Sequence, residues 1–192
     1  MKKAIVSVVL LLAVGGGGYL YHEATTPYRT LPAIQVSAAQ AGAAERKLNA
    51  IWSAGGVAKT TGKAAPVTES FTDSELTSLA NQKLQGHSIP LDNVIVHATA
   101  NGTIESQAKA HWGGQTTPLY LVAIVQVVDG NEPQLKIVQS KTGRLDVPQA
   151  LTDQINSLIG QSLNLGPASS IYQLKVTITD GLLTISGVAK PA

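Results

Sequence analysis

The sequence predicts an α+β fold, an antiparallel curled sheet of about six strands with two amphipathic helices in the order α-β-β-β-β-α-β-β, behind an N-terminal transmembrane helix. Three observations predict it. An uncharged apolar run, Ala4 to Tyr21, follows Met1-Lys2-Lys3. Two later segments carry apolar residues at helical spacing and begin on helix-start signals. Between and after them, alternating apolar segments are punctuated by Asn101-Gly102, Asp129-Gly130-Asn131 and Asp180-Gly181, the turn chemistry of hairpins.

As a helix, the apolar run would extend about 27 Å at roughly 1.5 Å per residue. That is marginal but sufficient for a hydrocarbon core of about 30 Å. Lys2 and Lys3 orient its N-terminus to the cytoplasm, and Tyr19 and Tyr21 suit the outer interface. A cleaved signal peptide is the alternative, since Ala4 to Val14 alone has the length of its apolar region. Either reading puts the chain beyond residue 21 outside the cytoplasm: a single-pass cell-membrane protein, or a secreted one if the segment is cleaved.

Residues 22–67 read as stalk, juxtamembrane helix and flexible linker. Pro27 and Pro32 mark an extended stalk, residues 37–52 are helix-prone, and Gly55, Gly56, Gly62 and Pro66 break any regular pattern up to residue 67. The extracytoplasmic α+β domain spans 68–192. Thr72-Asp73-Ser74-Glu75 fits a capping box with Thr72 as N-cap, Phe71 precedes it as a staple, and Leu76, Leu79, Ala80 and Leu84 mark one helical face that Gly86 stops. Strands are expected around Val94–Ala100, Thr103–His111, Pro118–Val128 and Leu135–Val138. Val147-Pro148 opens the second helix, with Leu151, Ile155, Leu158, Ile159 and Leu163 on its apolar face and Gly166-Pro167 after it. A last hairpin alternates Tyr172, Leu174, Val176 and Ile178 with polar residues and turns at Asp180-Gly181.

Composition excludes several classes of function. The chain has no cysteine, hence no disulfide, thiol nucleophile, cysteine zinc site or lipoprotein cleavage signal. Its net charge of +2 arises beside the N-terminal run, because Lys/Arg and Asp/Glu balance beyond residue 36. Such a domain lacks the basic field of a nucleic-acid binder. No nucleophile elbow, phosphate loop or His-Glu-x-x-His is present, so no catalytic residue, metal ligand or cofactor is assigned. With a two-residue turn at Asn101-Gly102, His97 would pair with Ser106 and Asp92 with His111, the latter a cross-strand ion pair.

One feature points to binding. Along 118–128, Leu119, Leu121, Ala123, Val125 and Val127 face one way and Tyr120, Val122, Ile124 and Val128 the other. A strand apolar on both faces expects cover on both, and the two helices supply only one. The second cover is the fold itself, with the sheet sandwiched between helices or curled on itself, or else an apolar ligand in a groove, or another copy. For a groove, Tyr120, Leu121, Val122 and Ile124 are the candidate ligand-binding residues, drawn from both faces.

The stretch Asp129-Gly130-Asn131, Leu135, Lys136 and Val138, then Gly143-Arg144-Leu145-Asp146-Val147-Pro148 and a helix carrying Leu151 and Ile155, resembles the YpmS-like bacterial membrane-anchored extracytoplasmic proteins. Thr68 to Leu76 is similar to the entry helix of that family and of the LmeA-like envelope proteins, which are related to tubular lipid-binding folds. The likeness covers roughly residues 68–188 and the anchor. It implies a non-catalytic, membrane-tethered envelope domain binding lipid or another apolar ligand. No binding residue of either family maps onto this chain. The other reading is an envelope scaffold whose apolar sheet face docks a protein partner or a second copy.

Overall fold

The computed structural model of the chain describes residues 22–85, 91–112, 114–128, 132–147 and 171–190, with positions 149, 152, 153 and 156. The fold is α+β, as the patterning predicts, but its strands form two antiparallel sheets rather than one curled sheet. Their orders are β1-β8-β7 and β2-β3-β4-β5-β6. A helical turn at 22–25 and an extended strap lead into helix α1 (Ala38–Thr61), β1 (Ala65–Thr72) and α2 (Asp73–Leu84). Then come β2 (Leu91–Ala98), β3 (Ile104–Trp112), β4 (Gln115–Val128), β5 (Glu132–Thr142), the two-residue β6 (Leu145–Asp146), β7 (Ile171–Thr179) and β8 (Leu182–Ala189). The expected anchor, the turn at 129–131, the Gly86 stop and the apolar face of the second expected helix lie outside the described residues. Gln149, Thr152, Asp153 and Asn156 are helical where that helix was expected. Among the described residues, no helix is long and apolar enough to cross a membrane.

The largest departure from expectation lies between residues 53 and 72. Helix α1 continues through Gly55 and Gly56 to a left-handed cap at Gly62. It buries Ala41, Ala44, Ile51, Gly55 and Ala58, and Leu48 packs on the same core. That 3-4 spacing is a buried seam along one helix face, built largely from small residues. A mid-helix glycine costs about 1 kcal/mol, and burial of this seam against the core offsets it. Strand β1 then pairs with β8 over its whole length, Ala65 with Ala189 through Thr72 with Leu182. Pro66 is tolerated there because β1 is an edge strand.

Helix α2 begins on the expected capping box. The Thr72 hydroxyl accepts from Glu75 N–H, and the Glu75 carboxylate accepts from Thr72 N–H at 2.9 Å. Its buried residues, however, are polar: Glu75, Thr77 and Ser78. Thr77 Oγ1 accepts from Val96 N–H at 2.9 Å and donates to Val96 C=O at 3.1 Å. Asn81 donates to Val94 C=O at 2.6 Å and accepts from Val94 N–H at 3.1 Å, and Asp73 accepts from Ala98 N–H at 2.8 Å. Residues 73, 77 and 81 thus serve residues 98, 96 and 94 of the edge strand. Four helical residues advance about 6 Å and two strand residues about 6.7 Å, so the two ladders stay in step. At the far edge Asn156 Oδ1 accepts from Ile137 N–H at 3.0 Å, and Thr152 bonds Ser140 at 2.6 Å. Helical side chains therefore satisfy both margins of the five-stranded sheet.

The register around Asn101-Gly102 differs by one from the two-residue expectation. Ala98 pairs with Ile104 and His97 with Glu105. Thr99 N–H donates to Thr103 C=O, which leaves a three-residue loop with Gly102 at φ 78°. A bulge between Asp92 and Ile95, with Asn93 at φ 50°, then sets Asp92 opposite Lys109. A similar bulge at Gln173 (φ 54°) turns Tyr172 to solvent, against its expected alternation with Leu174. Asp180-Gly181 makes the expected two-residue turn between Thr179 and Leu182.

Two hydrophobic clusters occupy the inner face of the large sheet. The larger joins Ala44, Ile51, Phe71, Ile104, Ile171, Leu174, Leu183 and Ile185, with Val125, Val127 and Leu135 against it. The smaller, toward the start of β4, joins Ala110, Leu119 and Val147, with Leu91 and Leu121.

Candidate functional site

Strand β4 presents its odd residues inward and its even residues to the sheet's outer face. The four candidate residues therefore do not share a surface. Leu121 packs inward in the smaller cluster. Tyr120, Val122 and Ile124 face outward. Tyr120 is 4% exposed, while Val122 and Ile124 are half-buried and belong to neither hydrophobic cluster.

Tyr120 is covered by the strap, the stretch expected to be a free stalk. Tyr28 lies over it with ring centroids 5.3 Å apart, and Lys141 Nζ sits 5.1 Å from the Tyr28 ring. Arg29 donates to Glu105 Oε1 at 2.6 Å, and Leu31 N–H donates to Gln107 Oε1 at 3.0 Å. Leu31 is itself buried. Ser37 N–H reaches Ser78 Oγ at 3.1 Å and ends the crossing at α2. Glu105 pairs across the ladder with Val122, and Gln107 and Lys141 pair with Tyr120. The strap thus runs across β5, β4 and β3 in turn.

The electrostatics follow from that cover. Burial pushes the Tyr120 hydroxyl above its usual pKa, and the Glu105 carboxylate adds to the shift. Arg29 is raised by hydrogen bonding to Tyr120 and by the Glu105 charge. Glu105 is buried, and its Oε2 has no hydrogen-bond partner among the described residues.

Past the strap the outer face is open. Val122 and Ile124 continue into exposed Gln126 and half-buried Val128, beside exposed Gln134 and Lys136 of β5. Val138, the extra residue where the β4–β5 register shifts, is 52% exposed. It borders a cleft of about 280 Å³ at the outer margin of β5, with Gln139, Ser140, Asp146, Gln149 and Thr152. That lining is mainly polar and lies away from the apolar strip.

His97 and His111 take partners. His97 Nδ1 lies 2.6 Å from Asp73 Oδ2, the carboxylate whose other oxygen caps Ala98. The expected Asp92–His111 pair forms at 2.8 Å, but diagonally, since Asp92 stands opposite Lys109. Thr116 Oγ1 meets the other ring nitrogen of His111 at 2.9 Å. This exposed chain lies on adjacent strands. Among the described residues, no group of three or more His, Asp or Glu could hold a metal ion.

The strap is the part of the site that sequence patterning missed. Its signal is thin: Tyr28, Arg29 and Leu31 are the apolar and cationic residues between two prolines. Comparisons with protein-family models, curated proteins and solved structures match no family, no relative and no structure.

Proposed function

We propose that the chain is a non-catalytic, membrane-tethered cell-envelope domain that binds lipid or another apolar ligand on the outer face of its five-stranded sheet. One observation carries the reading: Val122 and Ile124 lie half-buried beyond the edge of the strap and outside both clusters. Apolar surface left in that state gains about 25 cal/mol per Å² on being covered, before the costs of association. The uncharged run from Ala4 to Tyr21 supports the tether, with the N-terminus cytoplasmic and the domain outside. The likeness to YpmS-like proteins points to the same topology. The hydrogen-bonded setting of His97, shared with a strand cap, supports a structural role for that residue.

A second reading, a scaffold docking a protein partner or second copy, is favoured by the margin of the strip. Exposed Gln126, Gln134 and Lys136 flank it, a margin that suits a protein surface.

The test uses residues 22–192, which retain the strap, purified from a bacterial host. Native mass spectrometry should show co-purified lipid. Ile124→Asp should remove that mass while leaving the domain folded, because the side chain is only partly buried and lies outside both hydrophobic clusters. A lipid-free dimer that Ile124→Asp converts to monomer would establish the scaffold instead. Ligand retention unchanged in Ile124→Asp would refute the assignment of this face.

A further inference from the structure

The strap is fixed to the large sheet from its first described residues onward. Residues 22–25 form a helical turn in which the His22 carbonyl accepts from Thr26 N–H at 2.9 Å and Thr26 Oγ1 at 2.8 Å. Arg144 N–H donates to Glu23 C=O at 2.7 Å, and Gly143 N–H donates to Pro118 C=O at 2.7 Å. Gly143, at φ +57°, has no room for a Cβ, which would collide with the Glu23 and Ala24 backbone. The entry point of the chain is therefore seated on the turn between β5 and β6. Two residue steps separate Glu23 from Tyr21, where the apolar run ends, a span of at most about 7 Å. Beyond the seat, the strap is held at Tyr28, Arg29, Leu31 and Ser37. The domain cannot swing on it as on a loose tether.

We infer that the end of the large sheet formed by the β3–β4 hairpin tip and the β5–β6 turn rests on the phospholipid headgroups of the bilayer that holds residues 4–21. The inference depends on the membrane-anchor reading of that run. Register puts these parts at one end: Trp112 pairs with Gln115, Leu91 with Ala110, and Leu119 with Thr142. That end is polar and charged. The Arg144 side chain is 53% exposed and lies 3.8 Å from Glu23 Oε1, and exposed Lys109, which makes no ion pair among the described residues, is left to meet phosphate. The carboxylates of that end already have partners within the protein, Asp92 at His111, Asp146 at Lys141 and Glu23 at Arg144. Gln115 and Thr116, at the start of β4, are exposed and polar. The Asn101-Gly102 turn lies at the other end of β3, about 30 Å away. The open strip at Ile124 is then carried nine residues up β4 from the bilayer, again about 30 Å.

The absence of cysteine makes the test direct. Gln115→Cys and Asn101→Cys, both at exposed positions, are each labelled with one fluorophore in the full chain. The chain is reconstituted into phosphatidylcholine–phosphatidylglycerol vesicles bearing a headgroup-attached quencher. The label at 115 should lose most of its emission and the label at 101 should keep it. Equal quenching, or stronger quenching at 101, overturns the proposed orientation. A chain that alkaline carbonate strips from the vesicles removes the anchor reading itself, an outcome seen before any quenching is measured.

Discussion

At the scale of single residues, the Lys47–Glu75 pair ties α1 to the start of α2. Lys47 Nζ donates to both Glu75 oxygens, at 2.6 and 2.8 Å, and to Ser70 C=O at 2.7 Å. Burial alone would raise the Glu75 carboxyl. The Lys47 ammonium and the Thr72 N–H outweigh it, so the folded pKa lies below the ordinary glutamate value of 4.5. A depressed carboxylate pKa contributes stability above the unfolded value and loses it as pH falls through the folded value. Lys47→Met reverses the sign, because the buried Glu75 then prefers its proton. We expect Lys47→Met to cost about 2 kcal/mol at pH 7, discounted for the partial exposure of Lys47. The deficit should shrink as pH falls, first through the raised Glu75 pKa of the variant and then through the depressed one of the parent, on either side of 4.5. Urea titrations of both proteins from neutral to acid pH check this, and parallel pH curves would contradict it.

At the scale of elements, the edge of β2 is where polar burial does the structural task. Asn81→Ala strands the N–H and C=O of buried Val94. It should cost about 2–3 kcal/mol and speed amide hydrogen exchange at Val94 ahead of β3 and β4. Exchange that rises equally across the sheet would mean that Asn81 supports global stability alone. The same element shows why the helices were only partly legible. The capping box was visible because it is local, with Thr72 and Glu75 three residues apart. The role of Thr77 and Asn81 was not, because their partners come from residues 94 and 96 and their side chains carry no apolar signal. Likewise the α1 seam at Ala41, Ala44, Gly55 and Ala58 is built of residues too small to mark a face, so its glycines read as a break. Strand β1 was hidden by Pro66 and by pairing with a strand more than a hundred residues away.

At the scale of the whole molecule, the candidate site was half legible. Alternation on β4 separated two apolar faces and led to Tyr120, Val122 and Ile124. The cover of Tyr120 came from residues 28–31, which no local pattern connects to residue 120. The strap bridges strands β5, β4 and β3, so its removal should act on the molecule as a unit. Deleting residues 22–36 exposes Tyr120 and forfeits the burial of Leu31, worth about 1.5–3 kcal/mol. It also leaves Glu105 without Arg29, a further 1–2 kcal/mol or so for a pair whose arginine is half-exposed. The urea midpoint of residues 37–192 should therefore fall by about 1.3–2.5 M relative to residues 22–192, for a slope of roughly 2 kcal/mol per M. The Tyr120 hydroxyl gives an independent readout. Its pKa is raised by burial under the strap, so the stability it contributes is fully present below about pH 10 and is lost as pH rises through the folded value. In the truncated chain that alkaline limb should flatten and Tyr120 should ionise at lower pH, seen as earlier tyrosinate absorbance. Unchanged midpoints and coincident alkaline titrations would mean that the strap neither holds the sheet nor buries Tyr120.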